Sequence, residues 1–291
     1  MVTAAQRRAV VTHVQEVAAA EGRPVSQRRV CRWLGVHRTP IRYVTRRPPD
    51  TELRGRLREL AAAHPRWGVP RLYWLLRREG RPDNYKRVER LYREEGLAVR
   101  KRRRKRVAQA RVPRPVPGGP NVRWGMDFVR DTTARGRVFR ALTVVDEFTR
   151  ECLAIEVDTS LPAVRVADAL DRIAITRGLP ASISVDHGPE FAGRTLDEWA
   201  HARGVVLDFI RPGKPVDNAY IESFNGRLRD ECLNAHWFLS VADARRQIGA
   251  WRETYNAARP HAGLAGRTPD EFARQHAPPI DVASTLIRLT A

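Results

Sequence analysis

Cysteine is scarce in this chain of 291 residues, which contains only three, at Cys31, Cys152 and Cys232. They are far apart and odd in number, which argues against a framework of disulfides and favours a reducing cytoplasm. No Cys-x-x-Cys pair occurs, so a zinc ribbon or zinc finger is not expected. The sequence therefore does not resemble a small domain stabilised by disulfides or by a structural metal.

Long apolar segments are also missing. No run of about 18 apolar residues occurs, so we expect no membrane span. The N-terminal residues contain no apolar segment of the kind found in signal peptides, so secretion is not expected. The hydrophobic fraction of 42% is nevertheless sufficient for a substantial core. These features predict a folded protein of the cytoplasm.

Acidic residues are rare in the first part of the chain only. The whole sequence has 53 Lys and Arg against 33 Asp and Glu, a net charge of +20. Residues 1–120 hold 31 basic and 10 acidic residues, whereas residues 121–291 hold 22 basic and 23 acidic residues. A basic segment joined to a neutral one predicts a region that binds a polyanion and a separate working domain.

Residues 217–233 have the periodicity of a helix with two distinct faces. One face is apolar and predicts a buried stripe, formed by Ile221, Phe224, Leu228 and Cys232. The other face recurs at the same steps and is polar, formed by Asn218, Glu222, Asn225 and Arg229. A carboxylate flanked by two amides and a guanidinium suits a site that holds a metal cation and a phosphate together. The alternative is a solvated helix face.

Two further carboxylates lie where a sheet would place them. Asp127 falls inside an apolar run that predicts a strand, and Asp186 follows another such run just before a Gly-Pro turn. Thirty-five residues separate Asp186 from Glu222. Three carboxylates, two from strands and one from a helix, can hold two divalent cations through oxygen ligands. Two such cations activate the attacking oxygen and stabilise the leaving oxygen of a phosphoryl transfer.

This acidic triplet, with Arg229 seven residues after the Glu, resembles the DDE catalytic core shared by retroviral integrases and many transposases. Residues 217–234 and 251–261, followed by Leu264 and Thr268-Pro269, resemble a more specific group. It is the integrase-core transposases of bacterial insertion sequences, of the second-reading-frame (OrfB) type of the insertion-sequence-three family. The resemblance covers almost the whole chain.

The resemblance implies a DNA transposase that cleaves strands and transfers them, and so carries out DNA integration and recombination. Two Mg²⁺ or Mn²⁺ ions would be held by Asp127, Asp186 and Glu222. The expected partners are the inverted-repeat ends of the element, a target duplex, further copies of the chain, and an upstream-frame protein or frameshift fusion. The protein would be cytoplasmic and associated with the nucleoid when bound to DNA. Retroviral integrases carry a His-His-Cys-Cys zinc module before the core, and with Cys31 alone ahead of the core that module is not expected here.

The order of predicted elements in the second half is typical of an RNase H-like α/β fold. Strands are predicted at residues 122–131, 138–146, 152–157, 181–185 and 205–209, with helices at 162–176 and 195–203 before the helix of Glu222. We expect a five-stranded mixed sheet with flanking helices over residues 121–275, followed by a tail at 276–291.

The first half is predicted to be all-α. Residues 1–48 have the pattern of a helix-turn-helix with Arg38 and Arg42 on its third helix, the alternative being a plain three-helix cap. Residues 49–98 predict a second helical unit of similar kind. Residues 99–120 predict a basic linker rich in proline and glycine.

Several positive or amide side chains are predicted to contact DNA. They are Arg229 and Asn225 on the helix of Glu222, Lys214 in the preceding loop, Arg38 and Arg42, and the basic run Arg100, Lys101, Arg102, Arg103, Arg104, Lys105 and Arg106. The alternative for the basic run is a solvated tract. The alternative for Arg229 is a surface ion pair with Asp230 or Glu231.

Four other polar residues have weaker assignments. Asp146 ends the second strand, and we interpret it as a structural turn residue. Glu190 is expected beside the site or against DNA, while His187 would touch the scissile phosphate or cap its turn. His261 is interpreted as structural.

Two other functions share parts of this pattern. One is a sequence-specific DNA-binding regulator with an inactive nuclease fold, against which the intact acidic triplet counts. The other is an RNase H-type nuclease, which would use the same chemistry but has less need of paired DNA-binding units and a basic linker.

Overall fold

The protein is described by a computed structural model over residues 4–43, 50–99, 115–188, 190–210 and 218–276, and it divides into two compact units between residues 52 and 53. Most of the predicted linker and tail therefore lies outside the described residues. Within the described ranges, no helix has the length and apolar character needed to cross a membrane.

The first unit is a small helical bundle. Its helices are α1 (Ala4–Ala20), α2 (Gln27–Trp33) and α3 (Arg38–Arg42). Ser26 caps α2 by accepting a hydrogen bond from the Arg29 backbone N–H. The three helices share a core built on Val11, Val30 and Ile41. Three helices in this order are expected both for the predicted helix-turn-helix and for a plain three-helix cap, so the helix-turn-helix stays a prediction.

The second unit begins with three more helices, α4 (Thr51–Ala63, which starts just before the division), α5 (Val69–Arg78) and α6 (Tyr85–Glu94). Asn84 caps α6 by accepting a hydrogen bond from the Lys86 backbone N–H. Apolar residues recur at three- and four-residue steps, so each helix turns one apolar face inward. The shared core contains Leu53, Leu57, Leu60, Trp67, Leu72, Leu76, Val88, Leu91 and Tyr92.

A five-stranded mixed sheet forms the centre of the second unit. Its strands are β1 (Arg123–Thr132), β2 (Val138–Asp146), β3 (Cys152–Asp158), β4 (Ser182–Val185) and β5 (Val206–Phe209). Their spatial order is β3-β2-β1-β4-β5. β2 pairs antiparallel with both β1 and β3. β4 pairs parallel with β1 on the other side, and β5 pairs parallel with β4. β1 is therefore the central strand, and β4 lies directly beside it.

Helices cover both faces of this sheet. α7 (Ala163–Arg177) and α8 (Arg194–Arg203) pack on one face, and α9 (Ala219–Glu231) and α10 (Val241–Ala257) pack on the other. Side chains of β1 alternate accordingly, because Trp124 and Met126 join the first core and Val129 joins the second. Asp127 follows the same alternation and faces α9. A short helix, α11 (Pro269–His276), ends the described chain.

The predicted fold class is confirmed. Every predicted strand and helix of the core is present, with ends that differ from the prediction by one or two residues where both are described. The sheet has the predicted five strands in mixed orientation, with helices on both faces.

Candidate active site

Asp127 is the most enclosed of the three candidate carboxylates. It lies in the middle of β1, opposite Thr143 of β2. Its Oδ1 accepts the Phe128 backbone N–H at 2.7 Å, and its Oδ2 accepts a hydrogen bond from Asn225 Nδ2 at 2.7 Å. Burial raises the pKa of this carboxyl, the two hydrogen bonds oppose the rise, and the negative charges of Asp186 and Glu222 add to it. The charges of Asp186 and Glu222 therefore each act on Asp127.

Asn225 links Asp127 to the neighbouring strand. Its side chain is 7% exposed. Thr143 Oγ1 lies 2.9 Å from Asn225 Oδ1 and 3.1 Å from the Asp127 backbone oxygen, so its single proton is shared between two acceptors. The amide is held at its oxygen by Thr143 and at its nitrogen by Asp127. This fixes the direction from which Asp127 presents its carboxylate.

Asp186 directly follows β4 at the edge where the strand ends. Its side chain is exposed, and its Oδ1 accepts the Gly188 backbone N–H at 2.9 Å. A Cβ atom added at Gly188 would lie 2.9 Å from Asp186 Oδ1. A side chain at this position would therefore require the Asp186 carboxylate to shift.

Glu222 is exposed in the first turn of α9, which packs on the sheet through buried Ile221, Phe224 and Leu228. The helix comes very close to β1, since a Cβ atom at Gly125 would lie 3.3 Å from Ile221 Cβ. Because Gly125 has no side chain, α9 can pack closely against β1. This close packing brings Glu222 near Asp127.

The chemistry of these three side chains fits hard divalent cations, because carboxylate oxygens are the ligands that Mg²⁺ prefers. Across the described ranges, no three His, Cys, Asp or Glu side chains already stand in a cluster that could hold a metal ion. Like charges repel, and the exposed side chains of Asp186 and Glu222 can turn away from Asp127. A divalent cation would offset that repulsion, and the three carboxylates are suitable ligands for it.

Sequence comparison adds the family. A family model described as an integrase core domain matches residues 117–215, a second of the same description matches residues 203–269, and an HTH-like domain matches residues 48–106. The insertion element IS407 protein of Burkholderia multivorans is 50% identical over 254 residues, covering 87% of this chain and 92% of its own. The chain belongs to the integrase-core transposases of bacterial insertion elements.

Other members of this family are more distant. The insertion element IS476 protein of Xanthomonas euvesicatoria is 45% identical over 88% of this chain and 75% of its own. The putative transposase InsK of IS150 from Escherichia coli is 28% identical over 72% of this chain and 78% of its own. Among solved structures, the HTLV-2 integrase catalytic core domain in complex with magnesium aligns at 17% identity and a TM-score of 0.45. That alignment covers 53% of this chain and 97% of the other.

Arg229 of this integrase core lies on the same side of α9 as Glu222. It is exposed, and its Nη1 lies 3.4 Å from the Arg130 backbone oxygen. The two carboxylates considered as its partners are engaged elsewhere, Asp230 near Arg66 at 3.7 Å and Glu231 with Arg259. Within the described part of the chain, Arg229 therefore forms no ion pair with Asp230 or Glu231, the alternative considered for it.

The polar face predicted for α9 differs from the one observed. Both amides, Asn218 and Asn225, are buried, because this side of the helix is turned toward the sheet. Asn225 was predicted to contact DNA, but its amide is occupied by Thr143 and Asp127. We propose instead that it positions Asp127.

The remaining predicted DNA contacts fall in different places. Arg38 and Arg42 lie on α3 of the first unit, where Arg42 is exposed and its Nε donates to Gln27 Oε1 at 3.2 Å. Arg38 Nε is buried and has no hydrogen-bond partner in the described structure. Lys214 and the basic run 100–106 lie outside the described residues.

Asp146 and His261 have structural environments. The buried Asp146 carboxylate accepts backbone N–H groups of Asn121, Phe148 and Thr149, all at 2.8 Å, and so holds the turn after β2. His261 is buried, and burial together with nearby arginines lowers its pKa to about 2. Neither side chain is placed among the three carboxylates.

Glu190 and His187 flank the turn that carries Asp186. Glu190 pairs with Arg140 of β2, and its carboxylate lies 3.4 Å from where a Gly188 Cβ would be. Arg140 also stacks on Phe128, 4.1 Å from the ring centre. His187 is exposed and lies against Phe209. Glu190 therefore anchors this turn to β2.

Sequence reasoning missed Thr143 and Arg140. Thr143 is recognised only through its register opposite Asp127, and Arg140 only through a contact with a residue 50 positions away. No local motif marks either residue. Thr143 can be placed on the same face of the sheet as Asp127 only when the register between β1 and β2 is known.

Proposed function

We propose that this protein is a DNA transposase that cleaves a strand at the ends of its mobile element and joins the new 3′ end to a target strand. The proposal is supported by the positions of Asp127 in β1, Asp186 at the end of the neighbouring strand β4 and Glu222 on α9, and by the hydrogen bonds that orient Asp127. The integrase core and the HTH-like domain imply DNA as the substrate.

The residues of the proposed site have different roles in binding metal and DNA. Asp127 is held rigidly by Asn225 and its own strand, so it provides the fixed ligand. Asp186 and Glu222 are exposed and provide adjustable ligands from two sides. The site would hold two Mg²⁺ ions, which supply activation of the attacking oxygen and stabilisation of the leaving oxygen. Arg229, with no carboxylate partner among the described residues, is placed to bind a phosphate beside the one that is cut.

The alternative of a DNA-binding regulator with an inactive fold is disfavoured by the intact acidic triplet of Asp127, Asp186 and Glu222. Mg²⁺-dependent strand cleavage distinguishes the two, because an inactive fold binds DNA without cutting it. Duplex DNA and RNA·DNA hybrid substrates, compared side by side, separate the transposase from an RNase H-type nuclease.

The test is to replace each carboxylate by its amide. In Asp127→Asn, Asp186→Asn and Glu222→Gln, we expect Mg²⁺-dependent strand cleavage to fall far below wild type while DNA binding persists, because the shape stays and the metal-binding charge is lost. The exposed residues Asp168 and Glu253 give matched controls, Asp168→Asn and Glu253→Gln. A triplet variant that cleaves within about tenfold of wild type, a change of only ~1.4 kcal/mol in the barrier, removes that residue from the site.

A further inference from the structure

Four arginines gather on a side of α9 that does not carry Glu222. They come from four parts of the chain and are here called the arginine cluster: Arg71 of α5, Arg150 of the turn before β3, Arg227 of α9 and Arg259 after α10. The positive charges of all four act on the buried His261. Arg227 follows Glu222 by five residues, which is about 140° around the helix axis. The cluster is therefore separate from the acidic site.

Within the arginine cluster, the Glu231 carboxylate lies near two of the four guanidinium groups. Glu231 accepts from Arg259 Nη2 at 2.6 Å and Nε at 2.8 Å, in the bidentate geometry that arginine favours. Arg71 Nη1 lies farther from Glu231, at 3.9 Å. The pair of Arg259 and Glu231 is thus complete without the other arginines.

Arg150 and Arg227 have no carboxylate partner in the described part of the chain. Arg150 stacks on Tyr220 at 3.6 Å from the ring centre, and its Nη1 is buried with no hydrogen-bond partner. Arg227 precedes Glu231 by one helical turn but forms no ion pair with it. His261 carries no charge at neutral pH, since its pKa is lowered to about 2. The cluster therefore has four positive groups and one negative group.

Such an excess of charge in a half-buried place is costly unless an anion joins it. Burial, together with the positive charge of Arg259, lowers the pKa of Arg71 to about 10. Burial also lowers the pKa of Arg227, with Arg259 and Arg150 adding to the effect. Contacts with Glu231 hold Arg71 and Arg259 close together despite their mutual repulsion.

We propose that the arginine cluster binds a phosphodiester group of the DNA backbone. Guanidinium groups match the oxygens of a phosphate through paired N–H donors, and Arg150 Nη1 has no hydrogen-bond partner in the described structure. This inference rests on the proposed function, because it takes DNA as the ligand. Arg71 belongs to the HTH-like domain and Arg227 to the helix of Glu222, so one bound phosphate would set the position of the DNA relative to the acidic site.

The test uses the full chain and a blunt duplex of mixed sequence, without divalent cations, so that binding is measured apart from cleavage. Dissociation constants are measured over a range of salt concentrations for wild type, Arg227→Gln and Arg150→Gln. Arg194→Gln is the matched control, because Arg194 is exposed and pairs with Glu198 on its own helix. Loss of one phosphate contact should reduce the slope of log affinity against log salt by about 0.9. Arg227→Lys, which keeps the charge, should retain most of the slope.

Thermal unfolding, with and without inorganic phosphate, separates a DNA contact from a purely structural cluster and from a site for free phosphate. If Arg227→Gln or Arg150→Gln is folded and has the same salt slope as Arg194→Gln, the inference is contradicted. A lower melting temperature of the variant with an unchanged salt slope would show a purely structural cluster and also contradicts the inference. Stabilisation of wild type by inorganic phosphate that is lost in Arg227→Gln without any change in slope would show a free-phosphate site and also contradict it. If Arg227→Gln does not fold, Arg150→Gln decides. A wild type that does not bind the duplex at all contradicts the proposed function itself.

Discussion

At the scale of single residues, the decisive feature is how Asp127 is held. A buried carboxylate with no partners would raise its pKa and lose its charge, and the repulsion of Asp186 and Glu222 acts in the same direction. The N–H groups of Phe128 and Asn225 oppose both effects. Asn225 in turn depends on the Thr143 hydroxyl. A chain of three side chains therefore favours the charged form of one oxygen ligand and orients it.

This chain predicts that Asn225→Ala impairs chemistry and leaves DNA binding intact. Loss of an oriented partner of a metal-ligating carboxylate typically costs roughly 10- to 100-fold in metal affinity or activity. The Mg²⁺ concentration for half-maximal cleavage should rise, while the salt slope of DNA binding stays unchanged. Thr143→Val, which removes the hydroxyl at similar volume, should show the same split to a smaller degree. A reduced salt slope in Asn225→Ala would instead favour a direct contact between Asn225 and DNA.

At the scale of elements, the turn after β4 decides where Asp186 points. The Gly188 N–H is bonded to the carboxylate, and Glu190 fixes the far side of the turn to Arg140 of β2. Gly188 has no space for a side chain on the side of Asp186. The turn therefore couples the end of β4 to the middle of the sheet.

We expect Gly188→Ala to lower the rate of strand cleavage by up to about a hundredfold, because a displacement of roughly 1 Å in a ligand can have an effect of that size. The added methyl group would lie 2.9 Å from Asp186 Oδ1 and must push it aside. Gly118→Ala is the control, since nothing lies within 4 Å of its added Cβ atom. Thermal unfolding should be nearly unchanged in both variants, and a fully active Gly188→Ala enzyme would show that this turn does not set the position of Asp186.

At the scale of the second unit, the HTH-like helices are joined to the integrase core. Trp74 of α5 packs on Gly266, and Arg78 donates to the Gly266 backbone oxygen at 3.1 Å and pairs with Glu271 at 2.6 Å. Gly266 has a positive φ of 80°, which favours glycine. The backbone itself, rather than a side chain, is the surface on which Trp74 rests.

Gly266→Ala should therefore destabilise the second unit. Its Cβ atom would lie 2.1 Å from Trp74 Cδ2, and its backbone conformation disfavours a side chain. The two effects together should cost at least about 2 kcal/mol of the free energy of unfolding. Denaturant unfolding compares it with Gly263→Ala, whose added Cβ atom meets nothing within 4 Å. Equal stability of the two variants would mean that Trp74 does not depend on this contact. Limited proteolysis should also cut near α5 sooner in Gly266→Ala.

The contrast between what was predicted and what was missed follows from the range of the interactions. Ile221, Phe224, Leu228 and Cys232 were predicted as a buried stripe, and all four are buried. Periodicity reports how a helix divides into faces, so this prediction needed only local information. It did not report which partner each face meets. The two amides of α9 were therefore taken as exposed, although they lie against the sheet.

The sequence by itself determined the order of strands and helices, the family and the candidate acidic triplet, because alternation, capping residues and motif spacing are written along the chain. Only the tertiary structure decided which side chains support the triplet. Thr143 reaches Asn225 across 82 positions, and Arg259 reaches Glu231 across 28. Such partners are chosen by strand register and helix packing, which depend on the whole core. A linear pattern does not encode them residue by residue, so the support of Asp127 and the arginine cluster emerged only when the chain was folded.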